Sequence, residues 1–197
     1  MSPFSTAEKN ALLDDWATRA LWVSGHSAWP GNAGANELAT PREAATWAAA
    51  SGGAISLSNT PGIAIPAGAT IAFLGLWDDE FAGVFRGWAA RGGGIALPFE
   101  TTASDDVFRA DQHPYSNGDT VVFVDTEGAV LPTPVTEGTI YYVRDVNTDT
   151  FKISATSGGA VIPITVDGAG FVQKILPQLY TTAGTETINA LTFDLSR

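Results

Sequence analysis

Few residues in this chain are equipped for chemistry. His26 and His113 are its two histidines, and cysteine is absent. Without a thiolate there can be no disulfide, no zinc–thiolate site and no cysteine nucleophile. Neither histidine has the His-x-x-x-His spacing that sets two zinc ligands on one helical face. Ser24, His26 and Ser27 lie close together, and a hydrolytic triad needs a nucleophile, a histidine and an orienting acid. Neighbours so close on a strand are not expected to converge in that geometry. Both histidines therefore read as structural or surface residues.

Carboxylates occur in runs at Asp14-Asp15, Asp78-Asp79-Glu80 and Asp105-Asp106. A glycosidase sets two carboxylates across a cleft, which adjacency in sequence does not suggest. Solvated charge on a helix surface and at turns is the expectation. Asp145-Val146-Asn147-Thr148-Asp149 begins like a calcium loop, but Thr150 replaces its glycine and Thr156 its bidentate Glu. It reads instead as a turn between Tyr142-Val143 and Phe151. No phosphate-binding or dinucleotide-binding glycine pattern is present. No catalytic, cofactor-binding or metal-ligating residue is assigned, and no hydrolase activity is expected.

The six tryptophans are more suggestive. Trp16, Trp47 and Trp77 lie on periodic segments and are expected to pack inward. Trp29 lies in a Pro/Gly loop, where it either anchors a neighbouring subunit or pins the loop to its own domain; the pin is favoured. Trp29 and Tyr115 are the candidates if the chain binds a glycan.

These residues must be positioned by a largely β scaffold. One helix is expected, opened by the capping-box spacing Ser5-Thr6-Ala7-Glu8, with Ala11, Leu12, Trp16, Arg19 and Ala20 on one face, and running to about Arg19. Leu21 to Val23 reads as a strand, and Ala28 to Pro41 as a long surface loop. Strands are then predicted at Ala44–Ala50, Ala54–Ser58, Ile63–Ile65, Thr70–Trp77 and Gly83–Ala89, separated by glycine- and proline-bearing turns. In Thr70–Trp77, Leu74 breaks the alternation of Ile71, Phe73 and Leu76, so the strand is buried on both faces or bulged.

The texture changes near Thr101. Thr120–Val124, Ile140–Val143 and Thr150–Ile153 alternate and are divided by glycine turns. Residues 104–172 are read as a small all-β, barrel-like domain inserted into an outer domain formed by residues 1–103 and 173–197. The outer domain is predicted as a jelly-roll-like β-sandwich with the N-terminal helix at one edge. Ile95–Phe99 and Leu179–Leu195 are expected to pair or lie near one another in it.

A net charge of −11 and ten dispersed basic residues, no two adjacent, argue against a nucleic-acid surface. No apolar run approaches the roughly 20 residues of a membrane span. Met1 to Phe4 lacks the pattern of a signal peptide, and with no cysteine to staple a secreted domain, synthesis in the cytoplasm is expected.

One resemblance adds to this reading. His26-Ser27-Ala28-Trp29-Pro30-Gly31 with Gly34-Ala35-Asn36-Glu37 resembles a segment common in a family of small phage tail-fibre or minor tail proteins. Arg42 to Ala50, Ile65-Pro66-Ala67-Gly68, Leu74-Gly75-Leu76-Trp77 and Gly83-Val84-Phe85-Arg86-Gly87 continue the pattern in order. Tyr180 to Thr185 resembles the family's terminal hairpin. Trp29 stands where the pattern more often has Asp, so that position inherits no role. The middle unit resembles a separate module of phage structural proteins, through Asn117-Gly118-Asp119, Leu131-Pro132, Gly138-Thr139, Tyr141-Tyr142-Val143, Thr150-Phe151 and Ser154. The resemblance implies a virion structural protein associated with a tail or fibre. It would work by contacts with other virion proteins and with copies of itself, a trimer among the options. A capsid decoration or head-fibre protein is the alternative; contact with a host surface receptor or glycan ranks lower. The family supplies no catalytic residues to carry over.

Overall fold

The computed structural model describes residues 4–125 and 129–195; Met1–Pro3, where the signal-peptide reading begins, lie outside them. The capping box forms as its spacing predicts. Ser5 Oγ accepts from the Glu8 backbone N–H at 3.2 Å, and Glu8 Oε2 accepts from the Ser5 N–H at 2.9 Å. The Ser5 N–H and the Ser5 hydroxyl, both donating to Glu8 Oε2 at 2.9 Å, hold the Glu8 carboxyl below its ordinary pKa. Helix α1 runs over Thr6–Ala17, short of Arg19. Its buried positions are Lys9 and Leu13, with Trp16 half-buried, whereas Ala11 and Leu12 face solvent. Of the expected face, Trp16 and, just past the helix end, Ala20 pack on the core, whereas Ala11 and Leu12 do not.

The chain is mainly β and divides into two compact units, Met1–Ala89 with Gln178–Arg197, and Ala90–Pro177. The first unit is sheet-rich and sandwich-like. It contains β1 (Trp22–His26), β2 (Glu43–Ala44), β3 (Ala54–Ser56), β4 (Gly62–Ile65), β5 (Thr70–Ile71), β6 (Phe73–Trp77) and β7 (Phe85–Ala90, whose last residue falls at the division). Four of these form a sheet in the order β2-β1-β6-β7, with Ser24 opposite Gly75 and His26 opposite Phe73. Of the predicted Ala44–Ala50 strand only the first residue is in a ladder; Trp47 makes an isolated bridge to Leu57. The alanine-rich remainder is irregular.

Strands β3, β4 and β5 pair instead with the returning C-terminal segment. β14 (Gln178–Leu179) lies on β5, β15 (Gly184–Thr187) on β4, and β16 (Thr192–Asp194) on β3. The Tyr180–Thr185 region is therefore not a hairpin closed on itself. Ile63, Ile65, Ile71, Leu74, Leu76 and Ile188 form the centre of this core. Trp16 and Trp47 pack at its edge against Phe193, with centroids at 4.8 and 5.8 Å. β6 is buried along its whole length. Leu74 and Leu76 enter the core, while Phe73, Gly75 and Trp77 face the other way under the 27–41 loop.

The second unit is a closed barrel. β8 (Leu97–Thr102), β9 (Val107–Arg109), β10 (Thr120–Val124), β11 (Ile140–Arg144), β12 (Thr150–Ser154) and β13 (Ala169–Ile175) run in the order β10-β11-β12-β9-β8-β13, and β10 pairs again with β13. Closure leaves no free edge. Period-two alternation turns Val121, Phe123, Tyr141, Val143, Phe151 and Ile153 inward. Phe108 joins Phe99, Phe123 and Phe151 at centroid separations of 5.6, 4.9 and 5.5 Å. The unit extends beyond 104–172 at both ends, because β8 is a stave between β9 and β13. Leu97–Phe99 thus pairs inside the barrel and not with the 179–195 segment. The ends of the unit are tied together: Leu176 N–H donates to Arg91 O at 2.8 Å, and Arg91 Nη1 to Leu176 O at 2.7 Å.

Candidate functional site

The most connected polar group of side chains grows from β1. Residues two apart share a strand face, so Ser24 and His26 point the same way. Ser24 Oγ lies 2.8 Å from His26 Nε2, and His26 Nδ1 lies 2.7 Å from the Ala35 carbonyl oxygen. A carbonyl only accepts, so Nδ1 carries the proton and Nε2 accepts from the Ser24 hydroxyl. Trp77 Nε1–H completes the chain by donating to Ser24 Oγ at 2.8 Å. His26 is 0% exposed and Ser24 2%. Burial lowers the His26 pKa below 6.5; the Ala35 bond and the Glu37 charge oppose that shift, and the Arg42 charge adds to it.

The expectation that Ser24 and His26 cannot converge is thus overturned. What they form is nonetheless a clasp. Its hydroxyl is sealed beneath the Trp77 indole, whereas a nucleophile must face a substrate. Ser27 is exposed and stands apart, its hydroxyl 3.4 Å from Asn36 O.

The clasp holds the loop that follows β1. Ala35 N–H donates to Pro30 O at 2.8 Å, Ser27 N–H to Asn36 O at 3.0 Å, and Asn36 Nδ2 to Trp29 O at 2.8 Å. Gly34, at φ 74°, lies so close over the sheet that a Cβ there would collide with Trp77 and stand 2.8 Å from Phe85. Arg42 then locks the loop's far end. It grips Glu37 with a two-pronged fork at 2.7 and 2.9 Å, stacks its guanidinium 3.5 Å from the Trp77 centroid, and donates to Asp79 O at 2.9 Å.

Asp79 belongs to the β6–β7 turn, and that turn is tightly built. Asp79 Oδ1 accepts from the Phe81 and Ala82 N–H groups at 2.9 and 3.3 Å. Asp78 Oδ1 accepts from Val84 N–H at 2.6 Å, and its other oxygen is paired with Arg86. The Arg86 bond, with the Val84 N–H behind it, holds Asp78 below the usual carboxylate pKa; the Phe81 and Ala82 N–H groups do so for Asp79. A Cβ at Gly83 would stand 2.5 Å from Asp79 N. Phe81 projects from the tip, 82% exposed, with Val84 also exposed.

The remaining candidates are structural. Trp29 is half-buried, edge-on to Trp88 at 6.4 Å, so it pins the loop to its own unit. Tyr115 is buried, stacked on His113 at 5.1 Å, and its hydroxyl donates to Val172 O at 3.1 Å, which removes it as an exposed glycan platform. Burial raises its pKa further. His113 Nδ1 accepts from Tyr115 N–H at 3.3 Å inside the barrel. Asp14 and Asp106 accept from the N–H groups of Ala50 and Ile164 at 2.8 and 2.7 Å, so these runs tether backbone and are not merely solvated charge. Residues 145–149 form the expected turn, closed by Asn147 N–H on Thr150 O at 2.8 Å. Among the described residues, no three His, Asp or Glu side chains gather as a metal site would require, and no helix is long and apolar enough to cross a membrane.

Comparison with family models, with curated proteins and with solved structures returns no match. The residues that sequence reasoning underrated are Glu37, Arg42 and Phe81. An Arg five residues after a Glu, both beside a glycine-rich loop, was the available signal for the first two.

Proposed function

We propose that this chain is a bacteriophage virion structural protein, associated with the tail or its fibres, that works by protein–protein contact and not by turnover. The supporting observation is the use of the motif that resembles the phage tail family. The bonds and ring contact of His26, Ala35, Asn36, Glu37, Arg42 and Trp77 described above are made within the chain, where they hold one loop and one turn in shape. Rigid display of surface segments on a sheet is how a contact surface is built. The acidic chain keeps such a component soluble before assembly.

Peptide mass spectrometry and a density map of gradient-purified particles test this reading. The chain is expected in stoichiometric amounts, with its barrel and outer unit recognisable at the tail. Density on the head would replace the tail assignment by capsid decoration or a head fibre. Absence from purified particles would overturn the virion reading.

A further inference from the structure

The β6–β7 turn carries its own inference, which rests on the contact role proposed above. A phenylalanine that is 82% exposed gains nothing from the chain's own core. Yet the turn presenting it has Asp79 bonded to two backbone N–H groups, Asp78 bonded to Val84 N–H and Arg86, and Arg42 bonded to Asp79 O. A preordered aromatic anchor loses little conformational entropy on docking, which is the property of interface hot spots. We infer that Phe81, flanked by Val84, is the anchor of a docking site for a different protein, one offering an apolar pocket rimmed by Lys or Arg.

Charge selects that partner over a second copy of this chain. The tip carries the exposed Asp79 and the half-buried Glu80; the turn's own ion pair engages Asp78 and not these two, and the Arg42 charge acts on Asp79 alone of the pair. Among the described residues, Arg19, Arg42, Arg86, Arg109, Arg144 and Lys174 already pair with the chain's own carboxylates, and Lys9 is buried. A chain of net charge −11 so engaged has little basic surface to receive an acidic tip.

The test places a photo-cross-linking phenylalanine analogue at position 81 of the full chain, assembles it into particles and maps the cross-links. The expected product joins position 81 to another virion protein, at an apolar site with Lys or Arg neighbours. Phe81→Ser and Glu80→Lys, each checked for an unchanged thermal midpoint, should lower incorporation about tenfold or more, and about threefold or more, respectively. Cross-links only to another copy of this chain, or none in particles that contain it, overturn the inference. If Phe81→Ser assembles at the normal level, it is overturned as well. Absence of the wild-type chain from particles instead sinks the virion reading, and this inference with it.

Discussion

Gly75 lies directly across the sheet from Ser24, and the missing side chain is the space into which the His26 ring fits. A Cβ at Gly75 would stand 2.9 Å from Ser24 Oγ and nearer still to His26 Nε2. The glycine, the serine and the histidine are one device on two strands.

Gly75→Ala should therefore break the clasp without changing any charge. Overpacking of this kind costs about 1–3 kcal/mol. Urea denaturation should show that loss, and hydrogen exchange should place the loosening at residues 27–41. A variant as stable as wild type would mean that the ring has room to move.

Stability should fall as pH drops below about 6.5. The folded His26 pKa is lowered, so the unfolded chain binds a proton first and the clasp's contribution is complete above the unfolded value of 6.5. It is lost progressively as pH falls from there through the folded pKa. Denaturation free energies measured between pH 7.5 and about 5, above most carboxylate titration, read this window. His26→Gln should be less stable at neutral pH and show a flatter profile; a slope unchanged by that substitution would exclude His26 as its source.

Arg42→Lys should loosen the loop although the charge is kept. Lysine cannot reproduce the fork on Glu37 or the flat stack on Trp77. The pair is partly exposed, so a loss of about 1–2 kcal/mol is expected. Hydrogen exchange at the Ala35 and Leu38 amides, bonded to Pro30 O and Gly25 O, would report it. Equal protection in both proteins would show that the clasp alone holds the loop.

A fragment spanning residues 90–177 should fold alone, and one spanning 104–172 should not. The shorter piece lacks β8, which leaves β9 and β13 without the stave between them. At this size the margin is small, so the longer fragment is expected to be only modestly stable. Dispersed amide spectra from the shorter fragment would contradict the role given to β8.

Local chemistry was the legible part of the sequence. Ser5 and Glu8 announced the helix start, and the out-of-phase Leu74 pointed to a strand either bulged or buried on both faces, as β6 is. Pairing between distant segments was not legible. Ile95–Phe99 reads as part of the outer domain, yet Leu97–Thr102 is a stave of the closed barrel, with Pro98 opposite Phe171. The Ser24–His26 contact was missed by treating sequence neighbours as divergent, when a strand brings i and i+2 onto one face.

The pairing of β14, β15 and β16 with β5, β4 and β3 sets an order of events during synthesis. The ribosome must deliver the entire barrel before it delivers Ile188, Leu191 and Phe193, which finish the first unit's core. Until then the earlier-made half waits with three unpaired strands and an open apolar seam. The barrel, complete in one continuous stretch, can fold as soon as it clears the exit tunnel. The half made first is the half finished last, and during translation it is the part most dependent on chaperone protection.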